Sequence, residues 1–276
     1  MAMRQAAPAK RALDEARREI PRLFREFGPR TYALALRITG SPSEAEDVVQ
    51  ETFLQAYRRW ETFEGRANAG TWLYAIATRA ARRRFRKRKD GSTRRSRMKS
   101  FTDLSPMRDD GVVDLAIDRA RPADAVMRNE AKEIVQAEIL RLPEAYRVPL
   151  VLKDILELPA EECAQALGLK LETVKTRVNR ARLALRARLS EGLRTRRAPA
   201  PEYDRRLCMD LLQAKLAAMD AGRGFPIGRE VMCERCRLVF AELDLGQGAC
   251  AELGGKMPAE MRRRIERAIR EAAAAR

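Results

Sequence analysis

The chain has 276 residues, enough for two or three small domains, and carries 56 Lys+Arg against 39 Asp+Glu with no histidine. That excludes Ser-His or Cys-His nucleophilic chemistry, and no apolar stretch approaches the roughly 18 residues of a membrane span. The first twenty residues hold charges but no apolar run of the secretion type, so a cytoplasmic protein with reduced cysteines is expected.

The charge is uneven. Residues 200–276 hold 14 basic and 12 acidic side chains, while the rest hold 42 and 27. An excess confined to one part, with a pI near 10.3, points to a polyanion partner, most simply nucleic acid. A membrane surface fits less well, because the most basic stretch has almost no apolar face opposite its cations.

Ala, Leu, Arg and Glu dominate, and no run alternates in the manner of a strand, so the pattern predicts an all-α protein. After an N-terminal basic extension over 1–19, a first block spans 20–89. In it, S-P-S-E-A-E-D-V-V-Q-E-T-F-L-Q-A-Y opens with Ser41 as cap, Pro42 at the first helical position and Glu44 closing a capping box. Val48, Val49, Thr52, Phe53, Ala56 and Tyr57 share one face, leaving Asp47, Gln50 and Glu51 outside it. A polar loop then leads into T-W-L-Y-A-I-A-T-R-A-A-R-R-R-F-R-K-R-K, a helix that begins apolar and ends cationic. Residues 79–99 hold 12 Lys/Arg.

Residues 90–127 read as a linker of low hydrophobicity, acidic at Asp103, Asp109, Asp110, Asp114, Asp118 and Asp124, with weak intrinsic order. The next block, 128–190, has a short helix ending at Gly168, a turn, and a basic helix from about 171, which is helix-turn-helix spacing. On the second helix Val174, Val178, Ala181 and Leu185 face inward. Thr173, Lys175, Thr176, Arg177 and Arg180 are left to reach base edges and phosphates. The last block, 201–276, holds Cys208, Cys233, Cys236 and Cys250, whereas Cys163 falls where the helix-turn-helix needs an apolar core residue.

Two helical blocks in this order, A-E-D-V-V-Q-E-T-F with T-W-L-Y-A-I-A, then R-L-P-E-A-Y-R-V-P-L-V-L with E-C-A-Q-A-L-G-L-K-L-E-T-V-K-T-R-V-N-R-A-R, resemble the group 4, or extracytoplasmic-function (ECF), sigma factors of bacterial RNA polymerase. The likeness covers residues 20 to 190. It implies a sigma region 2 bundle and a region 4 helix-turn-helix joined by a flexible linker, and a promoter-recognition factor rather than an enzyme. It implies that Asp47, Gln50, Glu51 and Phe53 dock on the polymerase clamp helices, with the flap as a further polymerase contact. It also implies that Trp72, Arg79, Arg82, Arg83 and Arg86 engage the −10 element, where a flipped base must be held. Glu172, Thr173, Lys175, Thr176, Arg177 and Arg180 would read the −35 element, and the acidic linker would thread toward the RNA exit path. Arg79 stands where the family usually has Asn, and Lys170 and Glu172 stand where it often has Ser and Gly. The competing reading is a repressor that binds duplex DNA through the helix-turn-helix without polymerase.

The C-terminal stretch C-M-D-L-L-Q-A-K-L-A-A-M-D-A-G with R-E-V-M-C-E-R-C-R resembles a zinc-binding anti-sigma domain, with Arg229 at the family's His position. The resemblance implies regulation by this intramolecular domain or by a separate anti-sigma factor. Cys208, Cys233, Cys236 and Cys250 could together hold zinc or another thiophilic metal. They could instead form a thiol-disulfide switch, or simply pack.

Overall fold

The computed structural model describes residues 6–63, 68–88, 98–106, 111–115 and 123–274. Residues 89–97, within the cationic stretch 79–99, and the linker acids Asp109, Asp110 and Asp118 lie outside the described residues. The fold is all-α as expected, and its only sheet among the described residues is a two-stranded ribbon. The helices are α1 Ala6–Thr39, α2 Pro42–Arg58, α3 Ala69–Arg88, α4 Ala123–Arg141, α5 Glu144–Leu150, α6 Ala160–Leu167, α7 Leu171–Gly192, α8 Arg205–Asp220, α9 Glu234–Glu252 and α10 Ala259–Ala274. Strand β1, Gly111–Val113, pairs antiparallel with β2, Thr195–Arg197. No described helix is long and apolar enough to cross a membrane.

Two compact units emerge, residues 1–93 with 165–168 and 254–276, and residues 94–164 with 169–253. In the first, α1, α2 and α3 pack on one another and α10 lies against α1 and α2. Ser41 caps α2 by accepting from the Glu44 N–H at 3.4 Å, with Pro42 opening the helix. The stripe Val48, Val49, Thr52, Phe53, Ala56 and Tyr57 is buried. Phe53 meets Phe24 edge to face at 5.0 Å between centroids, the arrangement ring quadrupoles favour. On α10, Met261, Ile265 and Ile269 recur every four residues and are buried.

In the second unit α9 packs on α4 and α7. Pro149 sits inside α5 and has no N–H to give the helical ladder. The chain continues as a wider π turn over Val151–Ile155, closed by the Leu156 N–H donating to Val151 O at 3.0 Å. At the helix-turn-helix corner Gly168 adopts φ +63°, and nothing lies within 4 Å of where a Cβ would be. The penalty for Gly168→Ala is therefore conformational alone, about 1–2 kcal/mol, and should appear as a lowered denaturation midpoint.

Helix α7 presents three faces, as its 3.6-residue period allows. Val174, Val178, Ala181 and Leu185 are buried in the core, as the sequence pattern predicts. Thr173, Thr176, Arg177 and Arg180 form an open face. Asn179, Arg182, Arg186 and Ser190 bind residues of α8 and α9.

Candidate nucleic-acid interface and thiol cluster

The acidic face of α2 is not bare. Asp47 accepts from Arg84 Nη1 at 2.9 Å, and Glu51 is held by Arg83 and, at 3.7 Å, by Arg84. Gln50 is half-buried beside them. Phe53, which the helical spacing places on the inward face and the family resemblance places among the docking residues, is 0% exposed and packs edge to face on Phe24. Next to Asp47, Glu46 accepts a two-pronged bond from Arg264 of α10, both distances 2.7 Å. Exposed ion pairs of this kind contribute about 0–1 kcal/mol each, so they position charge without fixing it.

On α3, Arg79, Arg82, Arg83 and Arg86 follow one another at helical spacing, with Arg79, Arg83 and Arg86 exposed and Arg82 half-buried. Near the start of that helix Trp72 is half-buried and stacks on Phe63 at 4.9 Å, while Trp60 meets Trp72 at 6.3 Å and Phe63 at 5.5 Å. All three rings are partly open to solvent. Trp60 and Phe63 come from W-E-T-F at the entry to the polar loop, and the structure brings both rings to Trp72.

A groove on α7 is lined by Glu172, Thr173, Thr176, Arg177 and Arg180 together with Tyr146 of α5. Arg180 Nη1 donates to the Tyr146 hydroxyl at 3.4 Å. Tyr146 was missed in the sequence, although it sits inside R-L-P-E-A-Y-R. Lys175 turns aside to pair with Glu172 at 3.2 Å and does not line the groove. The start of α7 has Lys170 at the cap position with no side-chain cap bond.

The opposite face of α7 carries a buried ionic network. Arg182 grips Asp154 with bonds of 2.8 and 2.7 Å and also reaches Asp220 of α8. Arg186 donates to Glu242 of α9 at 2.7 Å. Glu242, 0% exposed, also accepts from Ser190 Oγ at 3.2 Å and from the Val113 N–H of β1. One carboxylate thus joins the linker strand, the basic helix and the cysteine-bearing segment.

The linker expectation is corrected in its described parts. Leu104 and Val112 belong to the same buried cluster as Leu211, Leu212, Leu238 and Phe240, with Met98 and Phe101 packed against it. Arg235 donates to Pro106 O at 3.4 Å and Pro199 O at 3.1 Å. The described stretches 98–106 and 111–115 have too few apolar residues to form a core of their own and share the one that α8 and α9 supply.

Cys208, Cys233 and Cys236 belong to that cluster, and their sulfurs lie within 4.8 Å of one another. Cys208 comes from the first turn of α8, which Asp204 caps at 2.8 Å. Cys233 is the cap of α9, its sulfur accepting from the Cys236 N–H at 3.5 Å. Burial pushes the Cys208 and Cys236 thiols up from their ordinary values. Cys250 does not join them, which corrects the four-cysteine expectation. It shares α9 with Cys236 fourteen residues away, about 21 Å along a helix, and lies beside Asp154, Arg182 and Glu242. No other His, Cys, Asp or Glu ligand atom among the described residues joins the three thiols, so the four-ligand closure of a structural zinc site is not met. Cys163 is 0% exposed and packs as expected, its thiol pushed up to about 12 by burial.

The Sigma-70 region 2 family model matches residues 23–90, and the Sigma-70 region 4 model matches residues 132–185. The ECF RNA polymerase sigma factor SigW of Bacillus subtilis is 36% identical over 168 residues, covering 60% of this chain and 86% of that protein. The ECF RNA polymerase sigma factor SigE of Mycolicibacterium smegmatis is 32% identical, with 61% of each protein covered. Among solved structures, the sigma factor RpoE of Bartonella quintana, solved with the anti-sigma factor NepR, aligns with a TM-score of 0.42 and 23% identity over 61% of this chain and 94% of its own. With both region models matched in order, and a 36% identical relative spanned over most of its length, this chain belongs to the ECF family of RNA polymerase sigma factors.

Proposed function

We propose that this sigma factor directs bacterial RNA polymerase to promoters through two named surfaces, and that its own C-terminal segment holds the linker between them. The observation that carries the reading is the Tyr146–Arg180 groove, which stays open on α7 while the C-terminal helices bind a different face. Residues 20–89 act as region 2, 128–190 as region 4, and the segment from 201 as the regulatory part.

Asp47, Gln50 and Glu51 dock on polymerase. Exchanging their ion pairs with Arg83 and Arg84 for polymerase cations is nearly neutral at about 0–1 kcal/mol per pair. Trp60, Phe63 and Trp72 form a stacking platform for an unpaired −10 base. Such contacts contribute about 1–3 kcal/mol per base, comparable with the few kcal/mol needed to extract it. Arg79, Arg82, Arg83 and Arg86 follow the backbone phosphates. Thr173, Thr176, Arg177 and Arg180 read the −35 element, and Glu172 lies where a cytosine amine could donate to it.

The linker is the regulated element. While Leu104, Val112 and Val113 are held by α8 and α9, it is not available to thread along polymerase. A ligand at the thiols can shift this balance only by different affinity for the held and released forms. The finer reading is a thiophilic-metal site at Cys208, Cys233 and Cys236.

Promoter binding by the chain with core polymerase tests the groove. Arg177→Ala or Arg180→Ala should each weaken −35-dependent binding by about 1–3 kcal/mol and leave binding to core intact. Equal, polymerase-independent binding of the free chain to the same duplex would favour the repressor instead.

A further inference from the structure

We propose that Cys208, Cys233 and Cys236 form a three-coordinate receptor for a soft trivalent ion of the arsenite class, trivalent arsenic or antimony. The proposal rests on the thiol-site reading above and departs from the zinc that the anti-sigma resemblance implies.

Coordination number is the first ground. Three sulfurs lie mutually within 4.8 Å, Cys250 is far along α9, and the chain has no histidine. The three cysteines are at most 1% exposed, so bulk solvent does not reach them to supply a fourth ligand. Structural zinc is nearly always tetrahedral, whereas soft ions are chosen by thiolate sites through geometry. Trivalent arsenic is satisfied by three sulfurs, its lone pair occupying the remaining direction.

Charge is the second. The three cysteines belong to one buried, mostly apolar cluster with Leu211, Leu212, Leu216, Met232 and Leu238. Three thiolates on zinc leave one net negative charge in that apolar cluster, and three on monovalent copper leave two. A buried uncompensated charge costs several kcal/mol. The N-terminus of α9, at which Cys233 is the cap, offsets only about half a charge. A tris-thiolate of trivalent arsenic is neutral and needs no offset.

The step balances without a redox partner. Arsenous acid meets three thiols; three arsenic–sulfur bonds form and three arsenic–oxygen bonds break. Each thiol proton leaves on a departing hydroxide as water. Drawing the three sulfurs onto one atom ties the first turn of α8 to the first turn of α9, inside the cluster that holds Leu104 and Val112.

The test uses the full reduced chain with sodium arsenite, and separately with zinc. X-ray absorption at the arsenic edge should show one arsenic per chain with three sulfur neighbours and no oxygen. Arsenite should displace zinc. Cys208→Ala or Cys236→Ala, checked for retained helicity by circular dichroism, should weaken arsenite binding by more than about a hundredfold, above the loss typical of an outer-shell partner. Cys250→Ser should leave it unchanged. An oxygen neighbour, or binding indifferent to those cysteines, overturns the proposal. Zinc held at the same cysteines and resistant to arsenite overturns the ligand class while sparing the thiol-metal reading. If neither ion binds, both fail.

Discussion

Glu242→Ala is expected to destabilise the second unit by about 3–5 kcal/mol, the usual cost of removing one partner from a buried ion pair. Arg186, 2% exposed, would lose its carboxylate, and the Val113 N–H and Ser190 hydroxyl would lose their acceptor. Chemical denaturation of the full chain reads the stability change. Hydrogen exchange at Val113 gives an independent readout, because opening the linker strand exposes that amide even where global unfolding is not reached. Glu242→Gln keeps a carbonyl to accept from Val113 and Ser190 while removing the charge, so it should fall between the two. A shift below about 0.5 kcal/mol for Glu242→Ala, the ordinary range of a surface substitution, would contradict the buried latch.

Phe53→Ala should cost the first unit about 3–5 kcal/mol, because a fully buried ring is removed and its partner Phe24 cannot refill the space. Where the variant is still folded, its affinity for core polymerase should be that of the unchanged chain. Asp47→Ala with Glu51→Ala should behave in the opposite sense, with stability changed by less than about 0.5 kcal/mol per site and polymerase affinity reduced. Fluorescence-monitored melting and a core-binding titration separate the two. Lost affinity in a fully stable Phe53→Ala protein would return Phe53 to the docking surface.

These two variants mark where the sequence could be read and where it could not. Helix α2 was legible because its signals are local: Ser41, Pro42 and Glu44 open it, and Val48 to Tyr57 repeat at helical spacing. The same spacing rule placed Phe53 inside, and the docking role came only from the family resemblance. The inward face of α7 was legible for the same reason.

The latch was not. Arg182 and Arg186 lie in a run of arginines where a DNA-facing cation and a buried one look alike in sequence. Only Asp154, Asp220 and Glu242, brought from elsewhere in the chain, distinguish them. A three-residue strand at Gly111–Val113 has no period to detect, and its partner at Thr195–Arg197 comes from beyond α7. The linker therefore looked unstructured because its core is supplied by other segments. Cys250 was grouped with the other thiols by residue type alone; once Glu234–Glu252 is one helix, fourteen residues separate it from Cys236 and the grouping fails.

The most direct measurement is run-off transcription on fragmented bacterial genomic DNA with core polymerase plus this chain, mapping every RNA 5′ end. New start sites should share −10 and −35 sequences at fixed spacing, and Arg177→Ala with Arg180→Ala should deplete those that rely on the −35 element. Start sites identical to those of core polymerase alone would contradict a role in promoter recognition.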